Sequence, residues 1–298
     1  MLDHFISTIN RLLPEPHASL LAGMLFGVRA TMPDDFYEAL IVTGTLHVIA
    51  LSGMNVSIIL RVLFDMLVGV CGKYIGVLLT LISLISFIIL VGPSATIVRA
   101  SIMGSLAVFA ALIGRKDLPL LSLFLTAVTM ILINNELISS ISFQLSVFAT
   151  LGIILFGAKG NMSKNITEAK ILKETIIEKK VLGYKNEINI IPGFMHTFGS
   201  NLLNFLKANL QVTLSAQLFT TPLILFYFNR VSFISPFANV AVGWLIAPIT
   251  YLGFVAVFLA QIWWPLGRLA SLVVWVPLSL FIWIVETFSQ VPFASVEL

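Results

Sequence analysis

Apolar runs long enough to cross a membrane follow one another through most of this chain, and they fix its class. Crossing the hydrocarbon core takes ~20 apolar residues in a helix. By that measure, spans are expected near 45–67, 74–92, 95–113, 118–134, 141–157, 209–228, 237–262 and 269–288. The runs are continuous, not alternating segments of roughly ten residues, so the expected fold is all-α. It is a polytopic transmembrane helix bundle of about eight spans, not a barrel. Only 10% of the residues are charged, against about 25% in soluble domains. A soluble fold this apolar would expose large sticky patches. The single cysteine, Cys71, excludes a disulfide framework and a thiolate metal cluster. The opening "MLDHFISTINRLLPEPHASLL" breaks its apolar character with prolines and charges. It does not read as a signal peptide, but as the interior of a longer protein or a short chain inserted by its first spans.

Four segments follow. Residues 1–43 hold the short apolar stretches "HASLLAGMLFGV" and "DDFYEALIV", expected as interfacial or re-entrant helices. Residues 44–158 form a first transmembrane block and 208–298 a second. Between them, 159–207 is a polar, lysine-rich insertion in which Ile166, Ala169, Leu172 and Ile176 recur three or four apart. That spacing is an amphipathic helix suited to a membrane surface. If the spans alternate, Lys73, Arg115, Lys116, the eight lysines of the insertion and Arg268 share one side. Arg11, Arg29 and Arg230 share the other. The cytoplasmic side carries the excess of Lys and Arg, so the insertion is expected in the cytoplasm, against membrane lipids, with both termini outside.

Polar groups at membrane depth are costly and usually face protein or water. The densest set is "TGTLHVIALSGMNV", residues 43–56, with His47, Ser52 and Asn55 beside Gly44 and Gly53. Two arrangements satisfy it. A helix break at Ser52-Gly53 gives two half-helices ending in the bundle interior. A continuous tilted helix instead puts His47, Leu51 and Asn55 on one face, with the glycines allowing close contact. Arg99, Gln144, Gln217 and Asn239 are the other polar positions inside expected spans. Pro222, five residues after Gln217, removes a backbone donor and should kink its helix. On the alternating topology all but Gln217 fall in outer halves, which outlines a vestibule open to the outside. Arg61 and Asp65, four apart, are placed to neutralise each other. The four histidines have no metal-ligand spacing, and neither a metal nor a cofactor is expected.

Taken together, "LLPEPHASLLAGMLFGVRATMPDDFYEALIVTGTLHVIALSGMNVSIIL", "GPSATIVRASIMGSLAVFAALIGRK", "ISFQLSVFATLGIILFG" and "SAQLFTTPLILFYFNRVSFISPFANVAVGWLIAP" resemble, in order, blocks of the ComEC-type competence proteins. The resemblance covers roughly residues 12–295. It implies a multi-pass protein of the bacterial inner membrane that conducts a single strand of transforming DNA and is not itself an enzyme. The implied partners are single-stranded DNA, an extracellular DNA receptor and a cytoplasmic DNA motor. His47, Ser52 and Gly53 match the first block, Arg99 the second, Gln144 the third, and Gln217 and Asn239 the fourth. Asn55 stands where the family often has a second histidine. The oligonucleotide-binding-fold and metallo-β-lactamase-like domains common in the family are not in this sequence, nor is an HxHxDH cluster.

Two other functions are compatible with the polar positions. One is a secondary transporter of a small anion, built on Arg99 and a broken first helix. The other is a serine hydrolase using Ser52 and His47. Against the latter, "ALSG" lacks the glycine of GxSG, and a five-residue separation on one helix puts the two side chains ~140° apart.

Overall fold

Helix dominates the computed structural model, which describes residues 2–28, 32–49, 53–112, 118–157, 202–292 and 295–297. In chain order these are α1 (Leu2–Leu12), α2 (His17–Phe26), α3 (Asp34–Val42), a 3-10 turn (Leu46–Val48), α4 (Gly53–Cys71), α5 (Lys73–Val91), α6 (Ala95–Leu112) and α7 (Pro119–Ile133). They continue with a second 3-10 turn (Asn135–Ser139), α8 (Ile141–Phe156), α9 (Leu202–Phe228), α10 (Ser235–Ile262) and α11 (Trp264–Ser289). Two three-residue strands, β1 (Arg230–Ser232) and β2 (Ser295–Glu297), pair antiparallel with Arg230 opposite Glu297.

Against eight expected spans, four helices among the described residues are long and apolar enough to cross a membrane. They are Tyr74–Val91 in α5, Lys207–Phe228 in α9, and the whole of α10 and α11. The apolar parts of α6, α7 and α8 are shorter. In α4, Arg61 Nε lies 3.9 Å from Asp65 Oδ2, the pairing that the four-residue spacing requires.

The chain divides into two units. The first comprises residues 1–104 and 223–298. Its core is built around α2, in which every residue from Ala18 to Phe26 is buried. A helix apolar on all sides has to be buried, and α2 packs among α1, α10 and α11. Leu21 sits on Gly253 of α10, where an added Cβ would lie 2.5 Å from Leu21 Cδ1. Trp263 alone separates α10 from α11, and the two pack as an antiparallel pair, with Gly267 against Ala260 at the bend. A second hairpin, α4–α5, turns at Gly72, whose φ of +79° is left-handed. Beside it Val56, Leu84 and Ile97 join α4, α5 and α6 in a smaller core.

The N-terminal helix lies elsewhere than the alternating topology expects. His4 Nε2 is 2.8 Å from Gln261 Oε1, and Gln261 Nε2 donates to Thr8 Oγ1 at 3.1 Å. Thus α1 is tied to the C-terminal end of α10. The C-terminal strand β2 pairs with β1, which precedes the other end of α10. The two ends of the described chain therefore sit at opposite ends of α10, not on one side.

The second unit, residues 105–222, holds the rest of α6, then α7, α8 and most of α9. Gly152 of α8 lies directly under the Ser215 carbonyl of α9, leaving no room for a Cβ. Phe156 packs on Phe219 at a centroid separation of 5.9 Å. The lysine-rich insertion lies outside the described residues as far as residue 201, and its expected amphipathic helix with it.

Candidate functional site

The polar stretch at 43–56 is not a continuous helix. A Schellman motif stops α3: the Gly44 amide donates to Ile41 O at 3.0 Å and the Thr45 amide to Leu40 O at 2.9 Å. Gly44 carries the left-handed φ of +66° that this stop requires. Thr43 and Thr45 are fully buried and their hydroxyls lie 2.8 Å apart, while Thr43 Oγ1 also donates to Ala39 O. Ser232 Oγ donates to Val42 O at 2.6 Å. Gly44 rests on the first residue of α10, where an added Cβ would lie 2.5 Å from Ser235 Oγ. Much of this polarity therefore terminates a helix and seats it on α10.

His47 lies in the 3-10 turn and is exposed. Its Nδ1 is 3.0 Å from Gly44 O. A carbonyl only accepts, so Nδ1 carries the proton and Nε2 is left for another partner. From the turn, Ile49 reaches Gly23 of α2, so close that a Cβ there would overlap it. Ser52 lies outside the described residues. His47 lies in the 3-10 turn ahead of α4 and not on that helix.

Asn55 and Arg99 flank the start of α4 in different ways. Asn55 is fully buried and its Nδ2 donates to Met24 O at 2.9 Å. Met24 is in the last turn of α2, where carbonyls have no intrahelical donor, so Asn55 completes the end of a buried helix. Arg99, on α6, is half-buried with its guanidinium over Gly53: a Cβ on Gly53 would lie 2.9 Å from Arg99 Nη2. Glycine at this position lets the cation lie against the N-terminal end of α4. Asn239 sits one turn into α10, which opens with Ser235 and Pro236. Its Nδ2 donates to Ser235 Oγ at 3.0 Å, and its Oδ1 is buried with no hydrogen-bond partner among the described residues.

Within the first unit, then, Gly53 meets Arg99, while Gly44, Ser235 and Asn239 form a second cluster beside the His47 turn. Asn55 turns away towards α2. Gln144 and Gln217 belong to the second unit. Gln144 Nε2 donates to Ile138 O at 2.7 Å and fastens the 3-10 turn to the start of α8. Gln217 lines an open groove on α9. Gly44 stands out in the sequence, but its partner Ser235 and the partner of Asn55, Met24, are not among the expected polar positions. Thr43-Gly44 carried a helix-stop signal, whereas the partner of Asn55, a backbone carbonyl, has no side-chain signature. Among the described residues no three His, Cys, Asp or Glu side chains come together.

The family model described as competence protein matches residues 24–298. The chain belongs to the competence protein family. Within that family, ComE operon protein 3 of Bacillus subtilis (strain 168) is 26% identical over 154 residues, which is 51% of this chain and 20% of that protein. The match therefore spans a small part of the relative's length. No solved structure matches the chain.

Proposed function

We propose that this chain is a membrane channel domain that passes one strand of DNA across the bacterial inner membrane during DNA uptake. Membership of the competence family supports the role in uptake. The observation that carries the channel reading is the Arg99 guanidinium seated on Gly53 at the N-terminal end of α4. The first turn of a helix presents free N–H groups and partial positive charge, and a cation beside it makes an electropositive point suited to a phosphate. In this reading α4 to α11 are eight spans of a multi-pass inner-membrane protein in contact with lipid. An extracellular receptor delivers the strand, a cytoplasmic motor draws it in, and the domain itself makes and breaks no bonds.

The test is binding of a fluorescent single-stranded oligonucleotide to the protein in neutral-lipid nanodiscs across a salt series. Arg99→Gln and a variant with the lysines of 159–185 neutralised are run beside it. Single-strand binding falls with salt at a log–log slope of about 0.7 per phosphate contacted, so Arg99→Gln should weaken binding and flatten that slope. Loss of binding only in the lysine-neutralised variant would reduce the interaction to a basic loop and defeat the proposal. Equal competition by inorganic phosphate would favour transport of a small anion instead.

A further inference from the structure

The α4–α5 hairpin carries two charges to the middle of a membrane-spanning stretch. Its register is set where Gly76 of α5 lies against the backbone of Val68 in α4, an added Cβ there falling 2.5 Å from Val68 Cα. Further along, Val56 packs with Leu84. Both helices rise equally per residue, so Asp65 is level with Leu79 and Arg61 with Ser83. The spanning stretch of α5 is Tyr74–Val91, which places Arg61 beside its middle. Arg61 keeps 39% of its side-chain surface exposed and Asp65 63%, although the two pair within the helix. Pairing alone does not suit such a face to lipid, because in a low-dielectric medium the loss of hydration can exceed what mutual attraction returns. Charged groups at membrane depth face protein or water.

The two charges belong to a row. Ser57, Arg61, Asp65 and Gly69 follow one another four residues apart, the spacing of the ridges along which helices pack. Ser57 and Gly69 are exposed, and nothing lies within 4 Å of a Cβ added to Gly69. Val62 and Met66 are exposed beside the row. Such a row is complementary to itself. In an interface between two copies related by a two-fold axis, the same patch serves both sides. Two parallel α4 helices crossing between positions 61 and 65 bring Arg61 of each copy towards Asp65 of the other, about 6 Å further along the axis and within reach of an extended arginine. Small residues at both ends of the row let the backbones approach. We infer that the Ser57–Gly69 row of α4 is the contact surface for a second copy of this chain, closed by reciprocal Arg61–Asp65 pairs. A water-filled path would also hydrate the charges, but it requires neither opposite signs one turn apart nor small residues flanking them.

The experiment reconstitutes donor- and acceptor-labelled copies of the full chain in liposomes and follows energy transfer as the protein-to-lipid ratio falls. The native chain should associate as a dimer. Arg61→Asp leaves two acids in the row and Asp65→Arg two arginines, so each should self-associate at least ~10-fold more weakly. Mixed together, the two variants should regain most of the lost association. Gly69→Leu adds bulk where the chain has no neighbour of its own. It should weaken association several-fold with unfolding in mixed micelles unchanged, which keeps the test decisive where a charge reversal does not fold. A native chain that stays monomeric at every ratio would overturn the proposal and give the row to water. A mixture no better than its components would overturn it too, as would Gly69→Leu associating as well as the native chain. Oligonucleotide binding is read separately, so each of these failures leaves the channel reading standing.

Discussion

Gly44 gives the sharpest test of how the polar stretch is built, because two separable penalties meet there. Its φ of +66° disfavours any residue with a Cβ, at a cost of about 1–2 kcal/mol. The added Cβ would also lie 2.5 Å from Ser235 Oγ and 2.7 Å from Ser235 Cβ. Neither atom is the far end of a long side chain that can swing away, so the overpacking costs about 1–3 kcal/mol more. Gly44→Ala should therefore destabilise by about 2–5 kcal/mol in total. Gly72 has no such contact, with nothing within 4 Å of an added Cβ, but its φ of +79° and ψ of 171° fall in a region open essentially to glycine alone, so Gly72→Ala should cost about 1–3 kcal/mol from the backbone alone. Ser235→Gly isolates the second, since it removes both contacted atoms. The double variant Gly44→Ala/Ser235→Gly should recover about 1–3 kcal/mol as a coupling energy. The assay is denaturant unfolding in mixed micelles followed by tryptophan fluorescence. A coupling below ~0.5 kcal/mol would refute the seating of this turn on α10.

Three further outcomes follow from individual contacts. Asn55→Ala leaves the Met24 carbonyl buried and without its donor, which should cost about 1–3 kcal/mol in the same unfolding assay. Gly152→Ala drives a Cβ into the Ser215 backbone carbonyl; backbone cannot step aside, so the loss should reach the upper end of about 1–3 kcal/mol. Gly53→Ala crowds only the movable tip of Arg99, at 2.9 Å, and makes ordinary contact with Ala100 Cβ at 3.4 Å. It should change stability by less than ~1 kcal/mol while lowering the salt dependence of oligonucleotide binding, which separates a displaced cation from a misfolded protein.

The apolar spacing gave the helical class directly, because uninterrupted apolar runs leave no other element. It gave the later helices to within a few residues: the run at 74–92 is α5, and the run at 237–262 lies within α10. The run at 45–67 starts ahead of α4, which is described from Gly53, because Leu46–Val48 form a 3-10 turn. Hydropathy sees Leu46, Val48 and Ile49 as membrane-like, but the positive φ of Gly44 and the Schellman bonds to Leu40 and Ile41 have already ended the preceding helix. The density of polar groups around His47 was legible; their division of labour was not. Thr43 and Thr45 close a helix end with their hydroxyls on each other, Asn55 completes another, and Thr43 and Asn55 each donate to a backbone carbonyl. The expectation for "HASLLAGMLF" is an interfacial or re-entrant helix; its uniform apolarity suits the centre of a core, which is where it packs, away from an interfacial position.

The place of α1 bears on orientation. Leu2, Phe5 and Ile9 face the core of the first unit, while Asp3 and Asn10 lie towards the other side, as in a helix lying along a membrane surface. Its bonds to Gln261 put it at the end of α10 that adjoins Trp264 and the start of α11, only a few residues from Arg268. In the alternating arrangement Arg268 lies on the lysine-rich side. In that expected arrangement, with α1 at this end of α10, Arg11, in the last turn of α1, is counted with Arg268. If the expected spans alternate, this position of α1 adds to the Lys and Arg excess of the side expected to be cytoplasmic. With α1 tied there, the α1–α2 segment runs into the unit and the buried end of α2 meets Asn55 near the start of α4.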